Sequence, residues 1–180
     1  ISTLFYDKLS DEEVKKDILS GHNNFFDIFG EYPLGFRTPH FGTYQNSKQL
    51  SFLYKILNEM GYVFSSSTTP VTGMWNGAIK KTPTGILEIP VSGCYDYPAR
   101  IMDSWGFRFS PTRKLNEGDY IEQFKKMMIF FEDPKTTGIF NIYADPSQVY
   151  DWEIFFECMS MTTGLSNITF NELIKKYDNV

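Results

Sequence analysis

Helix signals and short apolar strand signals alternate along most of this chain, and that alternation limits its fold more than any other feature. Parallel strands need a long crossover between them, and a helix is the usual crossover. Ser10-Asp11-Glu12-Glu13 is a capping box, and Val14, Ile18, Phe25, Phe26 and Phe29 follow it. The pattern predicts a helix over 11–29, weakened at Gly21 and stopped at Gly30. A short strand is expected over 34–37. A second helix is expected over 47–60, with Leu50, Leu53, Tyr54 and Leu57 on one face and Gly61 as its stop.

Residues 62–65 read as the next strand. The polar, Gly-rich stretch 66–85 is long for a structureless connection, and predicts a site-facing loop or a hairpin across the mouth of a barrel. Residues 86–91 form a third strand signal, and 92–116 read as loop with a short helix. A helix over 119–131 and a fourth strand over 138–145, broken at Pro146, come next. A helix over 147–161 follows, and Thr169-Phe170-Asn171-Glu172 is a second capping box opening a final helix to about 177. The order predicts an α/β fold with mostly parallel strands and helices packed outside. A closed eight-stranded barrel takes roughly 250 residues. The expectation is therefore a partial or reduced (β/α) barrel, with 1–180 as a single domain.

The chain of 180 residues is 42% hydrophobic and 22% charged, enough for a real core. Its net charge is -5, and Lys and Arg are dispersed, so no basic stripe could track a phosphate backbone. Nucleic acid is thereby excluded as a partner. The longest apolar stretches, such as Met127-Met128-Ile129-Phe130-Phe131, are too short to span a bilayer. Aromatics make up 17% of residues, which suits a thick core and also supplies flat faces for stacking on sugar rings. Cys94 and Cys158 lie far apart with no partner at metal-ligand spacing; they read as free buried thiols, with one disulfide as the alternative. Asn167-Ile168-Thr169 matches a glycosylation acceptor, a pattern too short to carry weight. The chain opens at Ile1, not at a methionine, so residues are expected to precede it.

The run Gly35-Phe36-Arg37-Thr38-Pro39-His40-Phe41-Gly42 ends a strand in arginine and continues as a proline-stiffened aromatic turn. This run is similar to the Arg-Pro-Pro-aromatic segment of the polysaccharide deacetylase (NodB-type carbohydrate esterase) family. Leu9-Ser10-Asp11-Glu12-Glu13 resembles the helix before it, and Met60-Gly61-Tyr62-Val63-Phe64-Ser65-Ser66 resembles that family's Gly-Tyr-then-serine strand. Ile86-Leu87-Glu88-Ile89-Pro90-Val91-Ser92 and Asp103-Ser104-Trp105-Gly106-Phe107 look like a late strand and loop. Ile142-Tyr143-Ala144-Asp145-Pro146 looks like the final motif, where a histidine normally precedes the proline.

The resemblance implies a deformed (β/α) barrel that removes acetyl groups from N-acetylated sugars or esters from O-acetylated ones. It implies zinc or another divalent metal in the intact protein, held by one aspartate and two histidines, with a second aspartate as base. This chain has no Asp-Asp pair, and its two histidines, His22 and His40, have no spacing that could supply both ligands. No metal ligand is assigned in it, and it is read as the C-terminal part of such a domain, inactive by itself.

By the same resemblance, Arg37 orients a base carboxylate, a task suited to a guanidinium fork. Asp145 stands at the acid histidine's position, where an unperturbed carboxyl is a poor proton donor near neutral pH. His40, Phe41, Trp105 and Asp103 are expected to line the sugar groove, with Tyr95, Tyr97 and Trp75 as lesser candidates. His22 is expected at the helix surface or end. The expected partner is an acetylated glycan; the alternative is a degenerate member that binds a glycan or serves as a scaffold. A serine hydrolase is disfavoured, because no Gly-x-Ser-x-Gly is present. Gly73-Met74-Trp75-Asn76-Gly77 lacks the lysine of a phosphate loop.

Overall fold

A computed structural model describes residues 5–40, 42–112 and 115–178. They fold as a mixed α/β protein that divides into two compact units. The first comprises residues 1–93, 97–101 and 139–142, and the second residues 94–96, 102–138 and 143–180.

The first unit opens with a 3-10 turn, Tyr6–Lys8, and helix α1, Asp11–Phe29. Both halves of the expected capping box are made at Ser10 and Glu13, and Gly30 ends α1 in the left-handed conformation, φ 74°. Val14, Ile18 and His22 recur at four-residue spacing and form its buried face. Strand β1 is Gly35–Phe36, and helix α2 is Ser47–Glu59, capped by Asn46 with Gln49 closing the box. Strand β2, Phe64–Ser65, leads to helix α3, Pro70–Asn76. Strands β3, Lys80–Lys81, and β4, Leu87–Glu88, complete the sheet.

The strand order is β1-β2-β4-β3, with β1, β2 and β4 parallel and β3 antiparallel to β4. Gly35 pairs with Phe64, and Phe64 with Leu87. The α1 and α2 faces, Tyr6, Tyr44, Tyr62 and Ile86 make one buried cluster. Gly35 has a packing reason: a Cβ on it would lie 2.0 Å from the Phe64 ring.

In the second unit, α4 is Ser104–Arg108, α5 Glu117–Glu132, α6 Pro146–Val149, α7 Glu153–Ser160 and α8 Phe170–Asp178. Tyr120 centres its core, with ring centroids 5.1 Å from Phe107 and 4.7 Å from Trp152. Asn116 caps α5 in a third capping box, closed by Asp119. Cys94 and Cys158 are both buried here and are not joined in a disulfide.

Four expectations change. Stretch 66–85 is a helix followed by the β3–β4 hairpin, the hairpin alternative plus α3. Stretch 138–145 is not a strand; its only ladder among the described residues is an isolated parallel bridge, Asp103 to Tyr143. The helix expected over 147–161 is broken into α6, α7 and a 3-10 turn, because Trp152 turns into the Tyr120 core and donates to Glu117 at 2.7 Å. His22 is not at the surface. It is 8% exposed, stacked on Tyr32 with ring centroids 4.3 Å apart, because it continues the Val14 and Ile18 face. No helix among the described residues is long and apolar enough to cross a membrane.

Candidate functional site

Parallel strands in α/β sheets present their carboxyl ends and the following loops to ligands. In the first unit those ends are Arg37 after β1, Ser66 to Thr68 after β2, and Ile89 and Pro90 after β4. A register set by β1–β2 pairing brings Arg37 beside Ser66. Its Nε donates to the Ser66 carbonyl at 3.0 Å, and its Nη2 to the Ser66 hydroxyl at 2.7 Å. Nη2 also donates to Asn141 Oδ1 at 3.3 Å.

The loop that holds Arg37 is itself tied down by a buried carboxylate. Glu88 Oε1 accepts from the Ser67 and Thr68 amides, each at 2.9 Å, and from the Thr68 hydroxyl at 2.8 Å. The Thr38 amide donates to Ser67 Oγ at 3.1 Å. Gln45 spans the two loops, donating to the Ser67 carbonyl at 2.7 Å and accepting from the Thr69 amide at 3.1 Å. Burial, and secondarily the Glu88 carboxylate, raises the Tyr54 phenol's pKa and keeps it neutral.

His40 is exposed, adopts a left-handed φ of 46°, and stacks on Phe5 with ring centroids 4.0 Å apart. A non-glycine residue in that region stores strain, and such residues cluster at binding sites. Phe41 lies outside the described residues. Gly42 packs near Ile101 and Thr69, so the turn after Arg37 meets the start of α3 and the 97–101 segment. Tyr97 on that segment carries the Arg100 guanidinium over its ring at 5.0 Å.

The other expected site residues belong to the second unit. Asp103 is buried at the N-cap of α4, and Trp105 on that helix is 47% exposed. The bridge to Tyr143 brings Asp103 near Asp145, whose amide donates to Ser104 Oγ at 3.0 Å. The Asp145 carboxylate caps α6: Oδ1 accepts from the Ser147 amide at 2.9 Å and its hydroxyl at 2.7 Å. An aspartate before a proline at the first helical position is a helix-starting signal in its own right. Trp75, on α3 of the first unit, and Tyr95 and Tyr97 are exposed.

His22 stacks on Tyr32 and His40 on Phe5, and no group of three or more His, Cys, Asp or Glu able to hold a metal occurs among the described residues. The residues present do not fit a two-histidine, one-aspartate set.

Three contributors escaped the sequence reading: Asn141, Glu88 and Gln45. Glu88 alone left a signal, as the one charge inside the apolar run 86–91. A charge there must be buried, and buried charges need hydrogen-bonding partners. Asn141 and Gln45 left none, because their partners are distant in sequence.

No protein-family model matches the chain, and no curated protein matches it. Among solved structures it is similar to the crystal structure of a "putative polysaccharide deacetylase" from Mycobacterium smegmatis, with a TM-score of 0.62 and 17% identity. The match covers 88% of this chain and 52% of that one, so this chain spans about half the length of its neighbour. At that identity the likeness is one of fold.

Proposed function

We propose that this chain is part of a polysaccharide deacetylase-like protein acting in carbohydrate metabolism, with a fold that is part of a deformed (β/α) barrel. The observation that carries this reading is a guanidinium held at the carboxyl end of β1 by Ser66 and Asn141. The fold likeness supports it independently.

In this reading the protein hydrolyses an N-acetyl group on a glycan. Water adds to the acetyl carbonyl, the C–N bond breaks, acetate leaves, and the sugar nitrogen takes a proton. Arg37 orients and keeps ionised the carboxylate that accepts the water's proton, a group not assigned to any residue of this chain. In the first unit His40, exposed on the turn after β1, contacts the sugar. No residue of this chain is assigned to a divalent metal; one held elsewhere in the whole protein would supply polarisation of the acetyl carbonyl.

A second reading follows from Asp145. Its carboxylate caps α6 where the family has an acid histidine, which favours a glycan-binding or scaffold member with no hydrolysis.

The test uses the longest natural form of the protein with N-acetylated chitooligosaccharides, measuring acetate release and, by calorimetry, binding. Hydrolysis that drops about 100-fold or more in a folded Arg37→Ala variant is the expected result. Binding without acetate release selects the second reading. The absence of both binding and release overturns the hydrolytic and the glycan-binding readings.

A further inference from the structure

We infer that Asn141 is the positioning residue for Arg37: its side-chain amide, anchored on the segment after β4 and the loop after β2, sets the direction of the guanidinium at the candidate site. Asn141 is 7% exposed and makes its contacts away from bulk water. Its Nδ2 faces Ser66 Oγ at 2.9 Å, the Ile89 carbonyl at 3.1 Å and the Pro90 carbonyl at 3.0 Å. Two N–H bonds serve three acceptors, so one bond is shared.

With the nitrogen so engaged, Oδ1 is left to accept from Arg37 Nη2. Turning the amide over would set its oxygen against two carbonyls and its NH2 against a cation. The orientation is thus decided by the carbonyls after β4, and Arg37 inherits it. Ser66 Oγ accepts from both side chains, closing a triangle of Arg37, Ser66 and Asn141. The backbone of Asn141 is pinned as well. Its amide donates to Ser92 Oγ at 2.9 Å, and its carbonyl accepts from the Ser92 amide at 2.7 Å.

No aspartate could take this place unchanged. A carboxylate would attract the guanidinium while facing the Ile89 and Pro90 carbonyls with no donor. Asparagine is the side chain of this size that donates toward β4 and accepts toward Arg37.

The inference gains its functional meaning from Arg37 as a site residue, but its test does not depend on hydrolysis. Phenylglyoxal modification of each arginine is timed by peptide mass spectrometry in the unaltered protein and in Asn141→Ala, Asn141→Ser and Asn141→Asp. Arg108, held by Asp151 and the Gln148 carbonyl, is the internal standard. Arg37 is expected to react roughly three- to tenfold faster in the Ala and Ser variants, as a lost hydrogen bond predicts, with Arg108 unchanged. In Asn141→Asp the protein melts lower, yet Arg37 stays as slow as in the unaltered protein. A merely structural Asn141 would move the Asp and Ala variants together. An unchanged Arg37 rate in a folded Ala or Ser variant, or a parallel rise at all arginines, overturns the inference. If no variant folds, guanidinium exchange in the unaltered protein decides: slowly exchanging Arg37 Nη protons are expected, and fast exchange overturns it. A protected Arg37 without acetate release retains this inference and removes the hydrolytic reading.

Discussion

Thr68 donates twice to one oxygen of Glu88, through its amide at 2.9 Å and its hydroxyl at 2.8 Å. With the Ser67 amide, three donors converge on a carboxylate that is 1% exposed, at the last residue of β4. The loop after β2 is therefore shaped by a charge on the neighbouring strand, and Arg37 rests on that loop.

Glu88→Ala strands two amides and a hydroxyl in a buried setting and is expected to cost about 3 kcal/mol of stability. Glu88→Gln keeps an acceptor oxygen and is expected to cost less than half as much. Urea unfolding measures both. Equal losses for the two variants would show that packing, and not hydrogen bonding, is what Glu88 supplies.

Gly93 approaches the Pro98 backbone so closely that a Cβ would lie 1.9 Å from the Pro98 carbonyl oxygen. Gly93 also bridges Ile101 in antiparallel fashion, which holds the two segments together. Backbone cannot rotate out of the way as a side chain can. Gly93→Ala is expected to lower stability by roughly 2–3 kcal/mol, with Gly21→Ala, which meets open space in α1, as a stabilising control. A Gly93→Ala protein that melts with the parent contradicts the close approach.

His40 combines a strained backbone with a ring stack on Phe5. Alanine removes the stack and keeps the strain, while glycine removes both. His40→Gly should therefore be more stable than His40→Ala by about 1 kcal/mol. Both should weaken glycan binding if the imidazole contacts the sugar. The melting order and the binding isotherms check the two claims separately.

The pH dependence has an acid limb and an alkaline limb. Hydrogen bonds from Lys126, then Gln123, hold the Asp96 carboxyl below its usual range, and Arg108 does the same for Asp151. Ser10 lowers Glu13, and Thr169 lowers Glu172. Each folded-state pKa is depressed, so its contribution is present above the ordinary carboxylate range and is lost as pH falls through the depressed value. Burial pushes the Cys158 thiol and the Tyr62 phenol up to about 12. Those contributions are present below the ordinary thiol and phenol values and are lost as pH rises toward about 12. Urea midpoints across pH should fall at both ends. Asp96→Asn combined with Asp151→Asn should flatten the acid limb, and an acid limb left as steep would refute its assignment. Cys158 should resist alkylation near pH 8 until the protein unfolds.

Local signals located most of the helices. Ser10 with Glu13 and the terminal Gly30 bound α1 at the expected residues, and Thr169 with Glu172 open α8. Strands were harder, because an apolar run shows the propensity for a ladder but not whether a partner is there. Residues 138–145 have such a run, yet Ile139 to Ile142 go to the first unit and Tyr143 to the second. Trp152 broke a helix that its neighbours favoured, since burying an indole against Tyr120 outweighs the weak propensity of one helical turn.

That Arg37 and His40 follow a strand was legible, because an apolar approach, an arginine and a stiff turn lie together in the sequence. Their surroundings were not. Arg37 reaches Ser66 across 29 residues and Asn141 across 104, and Glu88 reaches back 20 to Thr68.

The capped helices, the alternation that favours parallel strands, and the arginine-bearing turn after β1 can be read from the residues alone. Those depend on hydrogen bonds and packing within a few residues. That Asn141 faces Arg37, that Glu88 is buried against the loop beside it, and that Asp145 caps a helix emerge only in the folded molecule. An amide or a carboxylate takes its role from the donors and acceptors around it, and folding alone brings those together.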